Sequence, residues 1–333
     1  MPIFLLVLTM TAFALSMVLS PYERLAVFLP TEDQWTEEIS LDDLVARYGL
    51  DKPFLEQYWE WLQGVLHGNL GWSASARMPV AEALARYVPA SVELTLFAHI
   101  LVFVGAISVG TYVATKHNQL PDQVIRVVGS MGVAIPGFVV ALFLLVIFYG
   151  WLDVLPPGRL STWAQDIVSA AEFHRYTRMN VLDGVLNGRF DVALDALKHL
   201  ILPSIAMSTG MLSGMMRVMR SSLLETLKQD YVTTARAKGI KESVVIIRHA
   251  QRNALLPVVT MSTGAIAAII SGTVIIETIF NYRGMGKFAV DAAKALDFPA
   301  VLGVLVVVSS IIVFSTMIVD ILYMILDPRV VLR

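Results

Sequence analysis

Few titratable side chains in this sequence stand where they could do chemistry inside an apolar segment. His99 lies within a long hydrophobic stretch and Asp320 near the end of another. Charge buried in lipid is costly, so such groups suggest proton relays or ion sites. No carboxylate lies deep beside His99, so we interpret it as a hydrogen-bonded packing residue, with proton transfer as the alternative. Asp320 should reach the aqueous interface. Glu93 and Glu277 lie at the ends of apolar stretches, where contact with water (wetting) or helix capping explains them.

The sequence lacks the common catalytic and nucleotide-binding motifs. It contains no Gly-x-x-x-x-Gly-Lys-Ser/Thr loop, no His-Glu-x-x-His and no Gly-x-Ser-x-Gly. The absence of cysteine excludes disulfides, thiolate metal sites and cysteine nucleophiles. The sequence therefore predicts a non-catalytic protein with no metal or cofactor of its own, and a membrane-embedded hydrolase has little support.

A basic, polar stretch at residues 217–254 separates two long apolar segments. It contains a predicted two-turn helix, in which Asp230 caps or charge-stabilises the first turn and Arg236 and Lys238 occupy the last turn. Gly239 can end the helix in the left-handed conformation. Because isolated helices this short are marginal in water, the helix should need a partner surface. The alternative is a charged loop that only follows the charge rule of membrane topology.

The composition indicates an integral membrane protein. Hydrophobic residues make up 56% of the chain and charged residues 16%, with a mean hydropathy of +0.67. The formal net charge of −2 gives no basic field for a nucleic-acid partner. Six stretches approach the roughly 20 apolar residues that a membrane-spanning helix needs. They are Ile3–Leu19, Leu94–Ala114, Ile125–Phe148, Leu200–Met216, Leu255–Ile276 and Val301–Val319 with its continuation toward Leu326.

The first stretch is interpreted as a retained span. A cleaved signal peptide is the alternative, but such peptides carry a basic n-region and this chain starts Met-Pro-Ile-Phe. Lysine and arginine dominate the 217–254 loop, which predicts that this loop and both termini face the cytoplasm. The predicted organisation is a first transmembrane helix at 1–20, an external helical segment at 21–90 and a five-helix core at 91–333, with an external loop at 151–198 and a cytoplasmic loop at 217–254.

Local signals predict features within these segments. Ser40 and Asp43 form a predicted capping box for a helix that Gly49 ends, and Pro53 suits the first turn of a second, aromatic-rich helix. The charges of the 151–198 loop are of both signs and predict a solvated face. Two further patterns lie inside predicted spans. Pro136-Gly137 should bend the third span, and Gly210 with Gly214 should allow close helix packing in the fourth.

Several motifs together resemble the permease subunits of ABC transporters in the dipeptide and oligopeptide importer family. The resemblance covers nearly the whole sequence, and its motifs are specific as a set. They are Tyr48-Gly49-Leu50-Asp51-Lys52-Pro53, the Gly64 to Gly71 stretch, His199-Leu200-Ile201-Leu202-Pro203, Arg217 to Leu224, Glu277-Thr278-Ile279-Phe280, Gly284-Met285-Gly286 and Asp327-Pro328-Arg329.

The resemblance implies roles for two groups of residues. In such permeases a short cytoplasmic helix receives force from a separate ATPase. This helix has a Glu-Ala-Ala core, followed by three residues and then a glycine. Here Thr233-Thr234-Ala235 precedes Gly239 at that spacing, so only the second alanine and the glycine match. The implied external signature is Glu277, Gly284 and Gly286. The implied ATPase-coupling residues are Asp230, Tyr231, Thr234, Ala235, Arg236, Ala237, Lys238 and Gly239.

The resemblance also implies a fold and a function. The fold is an all-α integral membrane type I ABC importer permease with six transmembrane helices. The function is a pore-forming subunit of an ATP-driven importer for di- or oligopeptides in the bacterial inner membrane. Its partners would be a second, homologous permease, two ATPase subunits that hold ATP and Mg²⁺, an external binding protein and membrane lipid. The same family also imports nickel and other small solutes. An ion-gradient-driven secondary transporter is the alternative from another class.

Overall fold

A computed structural model gives the backbone of residues 2–25 and 40–326, and it divides into two compact units. The small unit consists of Met1–Ala90 and Arg283–Val313, and the large unit consists of Ser91–Tyr282 and Phe314–Arg333. Almost every regular element is a helix, as the apolar composition predicts.

The small unit contains short helices and one hairpin. Its elements are α1 (Pro2–Ser16), α2 (Pro21–Leu25), α3 (Leu41–Arg47), α4 (Phe54–Leu66), β1 (Trp72–Ser73), β2 (Met78–Pro79), the start of α5 (Val80–Thr115), α14 (Met285–Lys294) and the start of α15 (Phe298–Leu326).

Local signals position α3 and α4 as the sequence predicts. Ser40 is the N-cap of α3, where its hydroxyl accepts the N–H of Asp43 at 3.1 Å. Gly49 follows the helix with φ +63°, a left-handed conformation that glycine adopts without strain. Pro53 precedes the first residue of α4. The aromatic face of α4 packs inward, since Tyr58 is buried and its ring meets Phe13 of α1 edge-on at 5.7 Å.

The all-α expectation fails at one hairpin, where β1 and β2 pair antiparallel with Ser73 opposite Met78. The carboxylate of Asp297, which is fully buried, fastens this hairpin. It accepts the Ser73 hydroxyl at 2.6 Å and the Ser75 N–H at 2.9 Å. Its other oxygen accepts the Ala300 N–H at 3.3 Å in the first turn of α15. A buried carboxylate is stable here because several donors solvate it.

The large unit is built on long helices. Its core cluster joins apolar residues of α5, α10, α11 and α13. The elements are the rest of α5, α6 (Leu120–Ala134), α7 (Gly137–Leu144) continued by a π-helical stretch (Leu145–Trp151), α8 (Thr162–Ser169), α9 (Asn180–Leu186), α10 (Phe190–Thr226), α11 (Asp230–Ala237), α12 (Glu242–Val244) with a π-helical stretch (Val245–Ala250), α13 (Gln251–Ile279) and the end of α15.

Each of the six predicted spans is largely helical, but the third is interrupted at Ile135–Pro136 and the first extends beyond the end of α1. Helix α10, predicted as a span at Leu200–Met216, begins at Phe190 and ends at Thr226. In the described part of the chain, two helices are long and apolar enough to cross a membrane, Val80–Thr115 and Phe298–Ile318. The pair α6 and α7 passes the same test only as a broken span or a re-entrant loop, because it bends by 104°.

The break between α6 and α7 lies at the predicted proline. Pro136 has no N–H to donate to the preceding turn, and Ile135 adopts the extended backbone favoured before proline. The bend predicted at Pro136-Gly137 is thus confirmed, and it is sharper than an ordinary kink in a continuous helix.

The mixed charges of residues 151–198 do not form a simple solvated face. Asp183 is buried and accepts the N–H groups of Thr177 and Arg178, each at 2.8 Å. Asp195 is also buried and accepts the N–H of Ser161 at 2.8 Å, at the N-terminus of α8. The prediction of a solvated face is wrong for these two carboxylates, because they bond the backbone of neighbouring turns.

The predicted packing role of the Gly210 and Gly214 pair is confirmed for Gly210 only. A Cβ at Gly210 would lie 3.7 Å from the carbonyl oxygen of Gly132, whereas one at Gly214 would meet no atom within 4 Å. The tighter approach is at Gly110 of α5, where a Cβ would lie 2.8 Å from the Cβ of Met219 and 3.0 Å from the carbonyl oxygen of Met216 in α10.

This difference predicts opposite effects of alanine at two helical glycines. Gly110→Ala should destabilise the protein by about 1–3 kcal/mol, because the new methyl group meets a buried side chain and a backbone atom that cannot both move away. Gly214→Ala should stabilise by up to about 1 kcal/mol, since alanine favours the helix and the space is open. Thermal unfolding in detergent micelles measures both. A Gly110→Ala protein as stable as Gly214→Ala would contradict the close approach of α5 and α10.

Candidate functional site

Helix α11 is the candidate site, and its local structure follows the predicted signals. It spans Asp230–Ala237, with Asp230 in its first turn and Lys238 as its C-cap. Gly239 follows with φ +73°, so the predicted left-handed helix end is confirmed. The N-cap is Gln229, whose side chain makes no capping bond, so Asp230 acts on the helix dipole and not as the cap.

The two faces of α11 differ in polarity. Val232 is fully buried and Ala235 is 6% exposed, and both belong to the core cluster with Leu223, Val245 and Ala250. The opposite face is exposed in this chain. It consists of Asp230, Tyr231, Thr233, Thr234, Arg236, Ala237, Lys238 and Gly239. Of the eight predicted coupling residues, Ala235 alone lies on the inner face, where it holds the helix to the core.

Polar bonds fix α11 to its neighbours. The Arg236 guanidinium bonds both carboxylate oxygens of Glu242 in α12, at 2.7 and 3.1 Å. The pKa of the exposed Glu242 carboxyl is lowered by this hydrogen-bonded pair. The amide of Asn253 in α13 donates to the Tyr231 hydroxyl at 2.7 Å. These bonds and the buried residues fasten a helix that alone would be marginal.

Exposed cations lie on α11 and on the segments that precede and follow it in the chain. They would attract acidic groups on a partner, with a strength that falls as salt rises. The exposed cations of this surface are Arg217, Lys228, Arg236, Lys238, Lys241, Arg248 and Arg252. Together with the exposed face of α11 they form what we call the α11 surface.

A buried ion pair links α6 to α10. The Asp122 carboxylate has no exposed surface and accepts two bonds from Arg220, from Nε at 2.6 Å and from Nη2 at 2.7 Å. It also accepts the Asn118 N–H at 2.9 Å. The hydrogen bonds from Arg220 lower the pKa of Asp122 to about 2. The sequence places Arg220 in the basic loop but does not reveal its partner, because no local pattern relates residues 98 positions apart.

A second buried polar cluster surrounds Glu93 of α5. Its carboxylate accepts the Val181 N–H at 2.7 Å and lies 3.5 Å from the Arg159 guanidinium, which also stacks over the Tyr282 ring. The Tyr282 hydroxyl is 3.5 Å from the same carboxylate. The expectation of capping is confirmed for Glu93, because it satisfies the first turn of α9, whereas wetting is wrong because the residue is 2% exposed.

The predicted external signature residues are divided between the two units. Glu277 belongs to the large unit, where it is fully buried and accepts the Ser91 hydroxyl, so wetting is wrong here too. Gly284 and Gly286 belong to the small unit, where Gly284 is the N-cap of α14 and Gly286 is buried in its first turn.

The two intramembrane candidates have different outcomes. The Nδ1 atom of His99 has no hydrogen-bond partner among the described residues, and the ring stacks on Phe103 at 6.4 Å. The predicted packing role fits this contact, while the predicted hydrogen bond is missing at that nitrogen. The side chain of Asp320 lies outside the described residues. Among the described residues, no group of three His, Cys, Asp or Glu is placed to hold a metal ion.

Comparisons with known proteins show which family the chain belongs to. The family model for binding-protein-dependent transport system inner membrane components matches residues 106–332. The chain is 36% identical over 291 residues to the probable D,D-dipeptide transport system permease protein DdpB of Escherichia coli K12, covering 87% of this chain and 84% of that protein. It is 35% identical over 293 residues to the dipeptide transport system permease protein DppB of the same strain, covering 86% and 84%.

A third relative has the same kind of name. The di/tripeptide transport system permease protein DppB of Pseudomonas aeruginosa UCBPP-PA14 is 36% identical over 287 residues, covering 85% of this chain and 83% of that protein. The family match extends over more than half of the chain, and each relative is matched over most of its length. The chain therefore belongs to the family of binding-protein-dependent transport system inner membrane components, the permeases of ABC importers.

Proposed function

We propose that this chain is a permease subunit of an ATP-driven peptide importer in the bacterial inner membrane, and that α11 couples it to an ATPase. The single observation that carries the coupling is the division of α11 into a docked apolar face and an exposed face bordered by cations. Because Val232 and Ala235 belong to one core cluster with α10 and α13, a force on the outer face of α11 moves the helix as a rigid body and is passed on to α10 and α13.

The proposed assembly follows from the family. A second, homologous permease completes the translocation pathway, two ATPase subunits carry ATP and Mg²⁺, and an external binding protein delivers the substrate. This chain performs no chemistry of its own. The names of the relatives support di- or oligopeptides as substrates. ATP binding closes the ATPases. The resulting movement of α11 switches the translocation pathway between inward-open and outward-open states.

The proposed topology has six spans at the predicted bounds, which lie within α1, α5, the bent pair α6 and α7 from residue 125 onward, α10, α13 and α15. Both termini and the α11 surface then face the cytoplasm, in agreement with the excess of lysine and arginine near α11. The small unit contributes the segment at residues 21–90 to the external side. The broken helix at Pro136 is compatible with a membrane span, because neighbouring helices can satisfy the freed carbonyl groups.

Single cysteines test the coupling surface without background, because the natural chain has none. Ala237→Cys lies on the exposed face of α11 and should crosslink to the ATPase subunit with a short bifunctional thiol reagent. Ala235→Cys, two residues earlier on the buried face, should not. The experiment uses the assembled transporter in membranes, with cysteines introduced along the ATPase surface and uptake of a radiolabelled dipeptide as the measure of intact assembly.

The matched pair gives a clear decision. A crosslink at residue 237 and none at residue 235, in complexes that retain uptake, supports the proposal. No crosslink from residue 237 under turnover, beside normal uptake by the same variant, refutes the docking assignment. Uptake that stops when the ion gradient collapses but persists when ATP is depleted would instead favour a secondary transporter.

A further inference from the structure

The small unit contains a cavity with a buried cation in its wall. The cavity has a volume of about 280 Å³. Apolar and aromatic side chains form much of its lining, among them Phe13 of α1, Trp61 of α4 and Phe298 of α15. Small-molecule sites are typically concave and apolar with a few fixed polar groups, and this volume lies just below their usual range of roughly 300–1,000 Å³.

The polar wall of this cavity is built around Arg24 of α2. Only 8% of Arg24 is exposed, and its Nη atoms donate to neutral groups, Gln57 Oε1 at 2.8 Å and the Leu50 carbonyl at 3.0 Å. Its Nε–H is buried and has no partner among the described residues. A third bond runs from Nη1 to the Met17 Sδ atom at 2.9 Å. These bonds hold the guanidinium in place but use only three of its five N–H groups.

Within residues 2–25 and 40–326, the charge of Arg24 has no counter-charge. No described carboxylate lies within ion-pair distance of its guanidinium. The one acid in the described cavity wall is Glu60, and it is paired with Lys52. Burial without a paired charge is expensive for a cation, and arginine cannot avoid the cost by losing its proton.

We propose that this cavity binds a small carboxylate that bears an apolar group, with the carboxylate on Arg24 and the apolar group against the aromatic wall. A planar guanidinium matches a carboxylate in shape and charge. Two sources share this chemistry, the free C-terminus of a short peptide with an apolar last residue and a free fatty acid. Binding at this site does not require transport, so its test is independent of the proposed function.

The test measures protection of a cysteine in the cavity wall. Ser16 lines the cavity and is 5% exposed, so Ser16→Cys places a thiol there. In the full-length chain in lipid nanodiscs, N-acetyl-leucine should slow the reaction of this thiol with a maleimide. N-acetyl-leucine amide has the same apolar group without the charge. It should need a roughly thirtyfold or higher concentration, as expected when a buried charge is left unpaired. Val18→Cys, at an 80% exposed position, should react equally with and without either compound.

Two arginine variants identify the source of the selectivity. Arg24→Gln keeps hydrogen-bonding groups without the charge, and the acid should lose its advantage over the amide. Arg24→Lys keeps the charge and should retain most of that advantage.

Decanoate, as a third probe, distinguishes the two kinds of ligand. Stronger protection by decanoate than by N-acetyl-leucine assigns the site to fatty acids, and the reverse assigns it to peptide ends. Equal protection by acid and amide, or none by any probe, overturns the proposal.

Discussion

Replacing Asp122 by asparagine is expected to destabilise the protein by about 3 kcal/mol, the lower end of the cost of breaking a buried ion pair. The reason is that Arg220 would keep its charge beside an amide that cannot balance it. The lower end applies because the Arg220 side chain retains 17% exposure, so water can screen part of the charge. Thermal unfolding of the purified permease in detergent micelles measures the loss.

A second aspartate provides a matched control for Asp122→Asn. Asp191 is also bonded by two nitrogens of an arginine, Arg189 Nε at 3.0 Å and Nη2 at 2.8 Å, but this pair is exposed. Asp191→Asn should change stability far less, because solvent already screens both charges. Equal effects at the two positions would show that burial does not set the strength of the pair between α6 and α10.

The double variant Asp122→Leu with Arg220→Met tests the cause of the destabilisation. It removes both charges and fills the space with apolar groups, so it should be clearly more stable than Asp122→Asn alone. A double variant less stable than the single one would mean that the hydrogen bonds from Asn118 and Arg220, and not the unpaired charge, dominate the effect.

The same pair predicts a dependence of stability on pH. The pKa of Asp122 in the folded protein is about 2, below its unfolded value of 3.8. A carboxyl group whose pKa is lowered by folding stabilises the protein above its unfolded pKa and loses this contribution as the pH falls through the folded value. The stability difference between the natural chain and Asp122→Asn should therefore be constant near neutral pH and shrink between about pH 4 and pH 2.

Local signals in the sequence were sufficient to place the short helices. The ends of α11 and α3 follow from a polar residue at the start and a glycine that can adopt positive φ at the end, and both determinants lie within a few residues of the helix. The bend at Pro136 is equally local, since it results from a missing N–H. Hydropathy located the long helices but not their ends, because α10 extends beyond its apolar part.

Contacts distant in sequence determined the features that could not be predicted. The burial of Glu93 depends on Arg159 and on a helix start near Val181, which no pattern around Glu93 reveals. The close contact at Gly110 looks no different in sequence from the open position at Gly214. Apolar partners from α10 to α13 determine which face of α11 packs inward. The inner position of Ala235 could therefore be identified only from the structure.

Replacing Val232 by aspartate is expected to detach α11 from the core. Val232 is fully buried among apolar side chains, and an unpaired carboxylate there would cost several kcal/mol, of the order measured for buried unpaired charges. Undocking is the cheaper response, because an eight-residue helix has little stability of its own. Under the proposed coupling, uptake of dipeptide should then fall roughly tenfold or more, which corresponds to about 1.4 kcal/mol.

The neighbouring position separates docking from charge. Thr233→Asp adds the same carboxylate on the exposed face and should leave α11 docked to the core, because the new charge stays in water. Uptake is not the readout for this variant, since Thr233 belongs to the α11 surface. Undocking can also be measured without transport. A cysteine at residue 235 should resist maleimide in the natural background and in Thr233→Asp, because it faces the core, and should react readily in Val232→Asp. Natural uptake by Val232→Asp with residue 235 still protected would show that the inner face of α11 tolerates a charge, and the rigid lever inferred from its burial would be wrong.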